Sequence, residues 1–379
     1  MAGADFDVDL AVRRAADELD RGRPDLARAT AEDALRREPT SVVARGVLGH
    51  ALAELGELDR AETLLEPLVR VPEAAGLVLR VRSSIARKRV ETVIGTDAAA
   101  RRERQEHAIA AVGFAQEGVG AEPASAEARI ELSAALRVAG SLDWAVVEAR
   151  EAVRLAAGDD HVLARALFVL AASAVQLPTL RDEGLAAARR AVSLDPTNGS
   201  FLQALAGLEL ATGHRAQAIS TAMRALRVAP VERFPVAVAR YAQFLLLNRA
   251  LALGLLVAFC TPLLVIGGLS QVLVAELGST AGYTLGTRIA GAVGLLAMAG
   301  TQALVFRPLL SDGAARRAVI RFGRKRFMFW VAVVALLGSL LAYATAIVTG
   351  FLGLVVLLVP VLLIAWYVHA RSASSLPKL

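Results

Sequence analysis

Three long stretches without a charged residue constrain the fold of this 379-residue chain most strongly. They cover residues 250–275, 289–306 and 327–368, all in the C-terminal third. A membrane-spanning helix needs roughly 20 apolar residues to cross about 30 Å of hydrocarbon. The first two stretches fit one crossing each. As a single helix the third would be about 63 Å long, which is twice the thickness of the bilayer core.

Gly350 divides the third stretch, because glycine commonly ends a helix. The sequence therefore predicts four spans, at 250–275, 289–306, 327–348 and 351–368. They would form a four-helix transmembrane domain over residues 250–370, followed by a short tail at 371–379. The alternative is a buried helical bundle of a soluble protein. Soluble core helices rarely stay free of charge over roughly 18 residues, since one face normally meets water.

Positive charge is concentrated in the same third of the chain. From residue 250 onward, ten Lys and Arg stand against two acidic residues, whereas residues 1–249 hold 32 basic and 34 acidic groups. The predicted loop 307–326 contains seven of the basic residues, and the loop 276–288 contains one acid and one base. Cytosolic loops of membrane proteins carry the excess of Lys and Arg. We therefore expect the 307–326 loop and both termini to lie in the cytosol.

A segment of basic and aromatic residues leads into the third predicted span, and a further aromatic residue ends the fourth. The residues concerned are Arg324, Lys325, Arg326, Phe327, Trp330 and Trp366. Such a mixture also suits a surface that binds single-stranded nucleic acid. Here the positive charge adjoins a hydrophobic hairpin, so we interpret it as a membrane edge, with the basic residues at anionic headgroups and the rings in an aromatic belt. No nucleic-acid partner is expected.

The predicted spans contain no Asp, Glu, Lys, Arg or His. Ionisable groups inside a membrane usually mark ion paths and proton relays, so this composition argues against a pump or a coupled transporter. Gln302 and Tyr343 are expected to form hydrogen bonds between helices. Gly291, Gly294 and Gly300 could let a neighbouring helix approach closely, and one use of such packing would be a homo-oligomer.

A period of 34 residues runs through the N-terminal two-thirds, which are rich in helix-forming Ala, Leu, Arg and Glu. Ala15, Gly22 and Ala27 recur as Gly49, Gly56 and Ala61, and Ala191 and Pro196 recur as Ala225 and Pro230. Small residues suit the point where two paired helices cross. Glycine allows a tight turn between them, and proline ends the second helix.

This period and these residues resemble the tetratricopeptide repeat family. The second, fourth and sixth units carry the pattern at Leu48, Gly49, Leu52, Gly56 and Ala61, at Leu132, Leu136, Gly140, Ala145, Ala149 and Ala152, and at Leu202, Leu205, Ala206, Gly213, Ala218, Ala222 and Ala225. The third unit is stretched by an insert at 95–108, the fifth lacks the glycine turn, and no unit has the family's first Trp. A related solenoid of helical hairpins is the alternative.

The resemblance implies an all-α superhelix with a concave groove over residues 1–232. A last repeat needs a cap, so we expect a capping helix at 233–249 that joins the array to the first span. Family members bind proteins or peptides through the first helix of each pair. By register, the groove positions are His50, Glu54, Arg137, Gln176 and Gln203. The alternative is that these side chains are simply solvated.

Family members that grip a peptide's terminal carboxylate place Lys and Asn in the first repeats. Val12 and Ala16 occupy those positions here, so this clamp is absent.

The sequence shows no motif for catalysis or metal binding. Its five histidines form no paired metal motif, and its one cysteine excludes an intrachain disulfide. Asp159 and His161 could bind a metal, but an Asp at the start of a helix is better explained as a cap. The glycine-rich segment 118–123 follows a helix rather than a strand, so we predict a loop and not a phosphate cradle. No enzyme activity, cofactor or metal is expected.

These features together predict a multi-pass protein of a bacterial inner membrane. Its repeat array would act as a scaffold that recruits a protein partner to the cytosolic face of the lipid bilayer. In the alternative, the membrane domain is itself active, as a channel-like unit or a subunit of a transport complex, and the array regulates it. An enzyme would require a catalytic group from a partner.

Overall fold

The structure, a computed structural model, describes residues 7–228, 233–264, 270–311, 313, 316–317, 319–320, 327–351 and 353–371. Every secondary-structure element in these ranges is a helix, as the all-α prediction requires. The chain divides into two compact units, Met1–Thr212 and Gly213–Leu379.

The first unit consists of antiparallel helix pairs. Its α-helices are α1 (Val8–Asp20), α2 (Pro24–Arg37), α3 (Val42–Glu54), α4 (Leu58–Leu65), α5 (Ala75–Thr92), α6 (Ala98–Ala121), α7 (Ala126–Val138), α8 (Leu142–Leu155), α9 (Asp160–Ala174), α10 (Arg181–Leu194) and α11 (Gly199–Ala211). The first helix of each pair packs on the second, and also on the first helices of the neighbouring pairs. This is the repeating helix–turn–helix arrangement that the 34-residue period predicts.

Glycine forms the turn between the two helices in three of these pairs. Gly22, Gly56 and Gly140 have φ angles of +70°, +81° and +81°. In the second pair, the Gly56 N–H donates to the carbonyl of Ala53 at 3.1 Å, and the Glu57 N–H donates to that of Leu52 at 2.9 Å. These two bonds form a Schellman motif, which satisfies the last carbonyls of α3. The fifth pair, which lacks the glycine, uses a 3₁₀ helix at Pro178–Leu180.

The third pair is longer than the others because the insert extends its second helix. Helix α6 has 24 residues, whereas α2 and α8 have 14 each. Asp97 begins α6 by accepting a hydrogen bond from the Ala100 N–H at 2.8 Å. The loop predicted at 118–123 is wrong over its first four residues, since α6 continues to Ala121. Gly118 lies in that last turn and packs closely against Leu79 of α5.

Six helices make up the described part of the second unit. They are α12 (Arg215–Val228), α13 (Arg233–Leu264), α14 (Ser270–Leu277), α15 (Ser279–Ser311), α16 (Phe327–Thr349) and α17 (Gly353–Arg371). Helix α13 contacts α15, α16 and α17, and α16 contacts α15 and α17, so these four form a bundle. The sequence predicts a boundary after residue 232. The structure places α12 with the second unit, because α12 packs on α13.

Three helices of this bundle are long and apolar enough to cross a membrane, judged by length and composition alone. They cover Val236–Leu263, Ala281–Arg307 and Phe329–Thr349. The corresponding apolar part of α17, Val355–Tyr367, is shorter. Helix α17 has 19 residues in all, close to the roughly 20 that a crossing needs, and three of the four helices meet both criteria within the described residues.

The first predicted span differs most from the structure. The expected capping helix at 233–249 continues without a break into α13, which ends at Leu264. The described residues of the predicted span 250–275 fall on two helices, α13 up to Leu264 and α14 from Ser270 onward. Pro262 lies inside α13, where it removes one backbone donor.

Glycines bring α15 and α16 close together inside the bundle. A Cβ atom at Gly291 would lie 3.2 Å from Ile347, and one at Gly294 would overlap the ring of Tyr343. The Tyr343 hydroxyl lies 3.1 Å from the carbonyl oxygen of Val257 and links α16 to α13. These contacts within the chain account for two of the three predicted packing glycines. The third, Gly300, faces open space.

Candidate binding groove

Ion pairs join the first helices of consecutive pairs along one face of the first unit. Lys88 of α5 lies 2.9 Å from Glu54 of α3, measured from Nζ to Oε2. Arg87 of α5 donates to Glu131 of α7 through Nε at 2.8 Å and through Nη2 at 3.2 Å. We call these residues and their neighbours the groove network. Its members are His50, Glu54, Arg87, Lys88, Glu91, Glu131 and Arg137.

The Arg87–Glu131 pair is the most buried part of the network. Its two side chains are only 15% and 9% exposed. Burial alone would lower the pKa of Arg87, but the charge and hydrogen bonds of Glu131 outweigh it and raise that pKa. Arg87 therefore keeps its charge despite its burial, and it depends on Glu131 for its stabilisation.

Lys88 and Glu54 stabilise each other in the same way at the next contact. Burial opposes the charged form of both groups. The attraction between them nevertheless raises the pKa of Lys88 and lowers that of Glu54. Lys88 also lies 3.5 Å from Glu91, one turn along α5.

His50 lies among these charges as a neutral side chain. Its pKa is lowered, chiefly because it is buried, although the carboxylates of Glu54 and Glu131 partly oppose the shift. The charge of Arg165 on α9 contributes to the lowering as well. Charged groups from α3, α5, α7 and α9 therefore act on one imidazole.

Arg137 is the cation of the network that makes no ion pair within the described residues. It lies in the last turn of α7 and is half-buried. Its pKa is lowered, first by burial and then by the positive charge of Arg87, while Glu91 partly offsets the effect. An acceptor group supplied from outside would relieve this unfavourable position.

The structure brings together three of the five predicted groove residues, His50, Glu54 and Arg137. Gln176 is exposed in the turn that follows α9, and Gln203 is half-buried on α11. Arg87, Lys88 and Glu131 were not among the predicted groove residues, because the degenerate third unit supplied no groove positions and Glu131 pairs with a helix of that unit. The signal available was the helical spacing of Arg80, Ser84, Arg87 and Glu91, which repeats every three to four residues.

The predicted membrane edge is only partly visible. Arg324, Lys325 and Arg326 lie outside the described residues, and Phe327 is the first residue of α16. Trp330 is 47% exposed and packs edge-on against Phe329, with 5.5 Å between ring centroids. On α17, Trp366 is 37% exposed.

The described residues contain no group of three or more His, Cys, Asp or Glu side chains arranged to hold a metal ion. Asp159 instead caps α9, as predicted, by accepting hydrogen bonds from the N–H groups of His161 at 2.9 Å and Val162 at 3.1 Å.

Residues 18–72 match the family model of the tetratricopeptide repeat. These residues are a tetratricopeptide repeat segment. It begins within α1 and includes the turn at Gly56, and it contributes His50 and Glu54 to the groove network. Arg87, Glu131 and Arg137 come from the later helix pairs. No curated protein sequence matches the chain.

Three solved structures illustrate the similarity of the repeat array. The thermophilic tetratricopeptide protein TTC0263 of Thermus thermophilus is 18% identical, with a TM-score of 0.31, and the match covers 62% of this chain and 97% of that one. The MamA RS-1 ArsTM double mutant is 18% identical, with a TM-score of 0.28 and coverage of 60% and 96%. The TPR2AB domain of yeast Sti1, in complex with pHSP90, is 15% identical, with a TM-score of 0.26 and coverage of 62% and 95%. At these scores the neighbours add nothing to the functional argument.

Proposed function

We propose that this protein is a membrane-anchored tetratricopeptide scaffold that recruits a protein partner to the cytosolic face of an inner membrane. The repeat segment at 18–72 supports a role in protein binding. The apolar helices α13, α15 and α16 support the anchor. The proposal assigns no catalytic step to the chain.

The groove network supplies the observation that carries this proposal. Arg87 and Lys88 have carboxylate partners within the array, and Arg137 has none in the described part of the chain. A half-buried guanidinium without a partner can bind carbonyl or carboxylate oxygens of an incoming peptide. A peptide that places hydrogen-bond acceptors near the end of α7 could therefore bind Arg137 in the groove.

The cytosolic orientation depends on the charge asymmetry of the sequence. The seven basic residues of 307–326 and the nearly uncharged loop at 276–288 fall on opposite sides of the predicted spans. The first unit, which precedes α13, would then face the cytosol together with the basic loop.

A channel-like role for the membrane domain has less support. Leu251, Met298, Tyr343 and Leu362 are fully buried and fill the interior of the bundle. Side chains packed in this way form a core and leave no water-filled path through the described part of one chain.

The test uses the full-length protein in its native membrane. Proteins are cross-linked to wild type, to R137E in the groove, and to the matched control R154E, and the captured proteins are then compared by quantitative mass spectrometry. Arg154 lies on α8 and is 67% exposed, so R154E makes the same charge change outside the groove. We expect R137E to lose a partner that wild type and R154E both retain.

An unchanged set of captured proteins in R137E would show that Arg137 does not contribute to recruitment. Loss of the same proteins from R137E and R154E would indicate a general effect of charge, which also contradicts the proposal.

A further inference from the structure

Three helices of the second unit meet where α13 enters its charge-free stretch. Helix α12 packs on α13 and also contacts α15. Gln302 of α15 donates through Nε2 to the carbonyl oxygen of Ala250 on α13 at 3.2 Å. Arg249, the residue before Ala250, is exposed. The junction therefore lies where α13 changes from a polar to an apolar sequence.

Two arginines at this junction have no acidic partner among the residues that the structure describes. Arg215 is the first residue of α12, and its Nε atom is buried without a hydrogen-bond partner. Neither Arg215 nor Arg249 makes an ion pair within the described residues. The described part of the second unit contains a single acid, Glu276, and that residue lies on α14.

The two arginines are close enough to repel each other. The pKa of Arg215 is lowered, first by burial and then by the positive charge of Arg249. The N-terminus of α12, a helix of 14 residues, adds the positive end of its dipole at the same place. Positive groups gathered in this way form a favourable environment for an anion.

The junction also contains buried acceptors that lack partners. The amide oxygens Oδ1 of Asn248 and Oε1 of Gln302 are buried without a hydrogen bond. Gln302 cannot correct this by rotating its amide, because its nitrogen is the atom that can donate to the Ala250 carbonyl. Unsatisfied buried polar groups are rare in folded proteins. These two oxygens need hydrogen-bond donors, which a phosphate group does not supply, so the anion site depends on the arginines.

We propose that Arg215 and Arg249 bind the phosphate group of an anionic phospholipid at the cytosolic edge of the membrane. Guanidinium groups bind phosphate oxygens through paired, charge-assisted hydrogen bonds. The inference rests on the membrane anchoring proposed above. A free phosphate would offer the same chemistry. The lipid is favoured because Arg249 is the last charged residue of α13, and because Gln302, which bonds to the neighbouring Ala250, lies close to Arg307 at the end of the apolar part of α15.

Lipid binding is measured on the full-length protein in a nonionic detergent by native mass spectrometry. The probes are phosphatidylglycerol, zwitterionic phosphatidylcholine and soluble glycerol phosphate. We expect wild type to prefer phosphatidylglycerol over both other probes. The affinity of the double variant R215Q/R249Q for phosphatidylglycerol should be roughly tenfold or more below that of wild type, as expected for lost hydrogen bonds between charged groups.

The matched control is R224Q/R227Q, which removes two exposed arginines from the same helix α12. Its affinity for phosphatidylglycerol should change less than about twofold, because exposed charges contribute little. The single variant R249Q controls for misfolding, because Arg249 is exposed and its replacement should leave the fold intact. R249Q should bind phosphatidylglycerol several-fold more weakly than wild type.

Equal losses in the two double variants would overturn the proposal in favour of general charge attraction. Equal binding of phosphatidylcholine and phosphatidylglycerol would overturn it as well. Glycerol phosphate that binds as tightly as phosphatidylglycerol would identify a site for a free anion instead of a lipid. These failures leave the scaffold proposal intact if the protein still requires detergent. A protein that stays monodisperse without detergent would contradict the membrane anchor itself.

Discussion

Arg87 and Glu131, which are 44 positions apart in sequence, form a two-bond ion pair that ties the third helix pair to the fourth. Both side chains are largely shielded from water. Attraction between buried charges is strong, and removing one partner leaves the other charge without compensation. The pair therefore makes α5 and α7 depend on each other for stability.

We predict that E131Q weakens the packing of α5 and α7 by about 3 kcal/mol, because Arg87 then remains buried and unpaired. Hydrogen exchange of the full-length protein, followed by mass spectrometry, gives the opening free energy of both helices. The control is E183Q. It breaks the Arg150–Glu183 pair, which has similar two-bond geometry at 2.8 and 2.6 Å but side chains that are 49% and 38% exposed. That change should cost less than about 1 kcal/mol. Equal costs for the two variants would contradict the assigned importance of burial.

We predict that the first unit loses stability as the pH falls from 7.5 to 5.5, in part through His50. The folded protein holds the pKa of His50 below its usual value of 6.5, so the unfolded chain binds this proton more readily. Acidification therefore favours unfolding once the pH falls below about 6.5. Glu54 also has a lowered pKa, but its contribution is lost only below the usual carboxyl value of 4.5, outside this window.

The measurement is the opening free energy of α3 from hydrogen exchange at the two pH values. H50Q should show a smaller decrease than wild type, whereas H107Q on α6 should behave like wild type. The facing charges of Glu54, Glu131, Arg87 and Arg165 remain in both variants. A decrease of the same size in H50Q and wild type would exclude His50 as its source.

Two glycines of the first unit should respond in opposite directions to the same substitution. G56A should destabilise the turn by about 1–2 kcal/mol, because Gly56 has a φ of +81° that disfavours a side chain. G113A should stabilise α6 by about 0.5–1 kcal/mol, because Gly113 lies inside a helix with open space around its Cβ position. Hydrogen exchange of α3 and α6 distinguishes the two effects. A destabilising G113A would contradict the open environment of that residue.

Two glycines of α15 provide a similar comparison in the bundle. In G294A the new methyl group would overlap the buried ring of Tyr343, and overpacking of this kind costs about 1–3 kcal/mol. G300A should have little effect, since nothing lies within 4 Å of that Cβ position. Thermal unfolding in detergent should therefore show a lower midpoint for G294A alone. A loss in G300A would reveal a contact outside the single chain, such as the predicted homo-oligomer.

Local sequence patterns predicted the features that depend on neighbouring residues. The turns at Gly22, Gly56 and Gly140 follow from a backbone conformation that favours glycine, and the end of α16 before Gly350 has the same origin. The groove network depends on residues far apart in sequence, such as Arg87 and Glu131. The 34-residue period carries the positions of His50 and Glu54 onto Ser84 and Lys88 of α5, but it says nothing of Arg87, whose partner Glu131 lies on another helix pair.

The orientation of the membrane domain is a final prediction, and it tests the charge argument by itself. A reporter that is active only outside the cytosol should be silent when fused after Leu379. The same reporter should be active when it is inserted at Gly278, in the turn between α14 and α15, because the structure places most of the predicted loop 277–287 inside α15. The physical reason is that loops rich in Lys and Arg are retained on the cytosolic side. The first fusion depends on an even number of crossings, which requires α17 to span the membrane although its described apolar part is short. Activity at both positions would mean that α17 does not cross, whereas activity at Leu379 and silence at Gly278 would reverse the orientation.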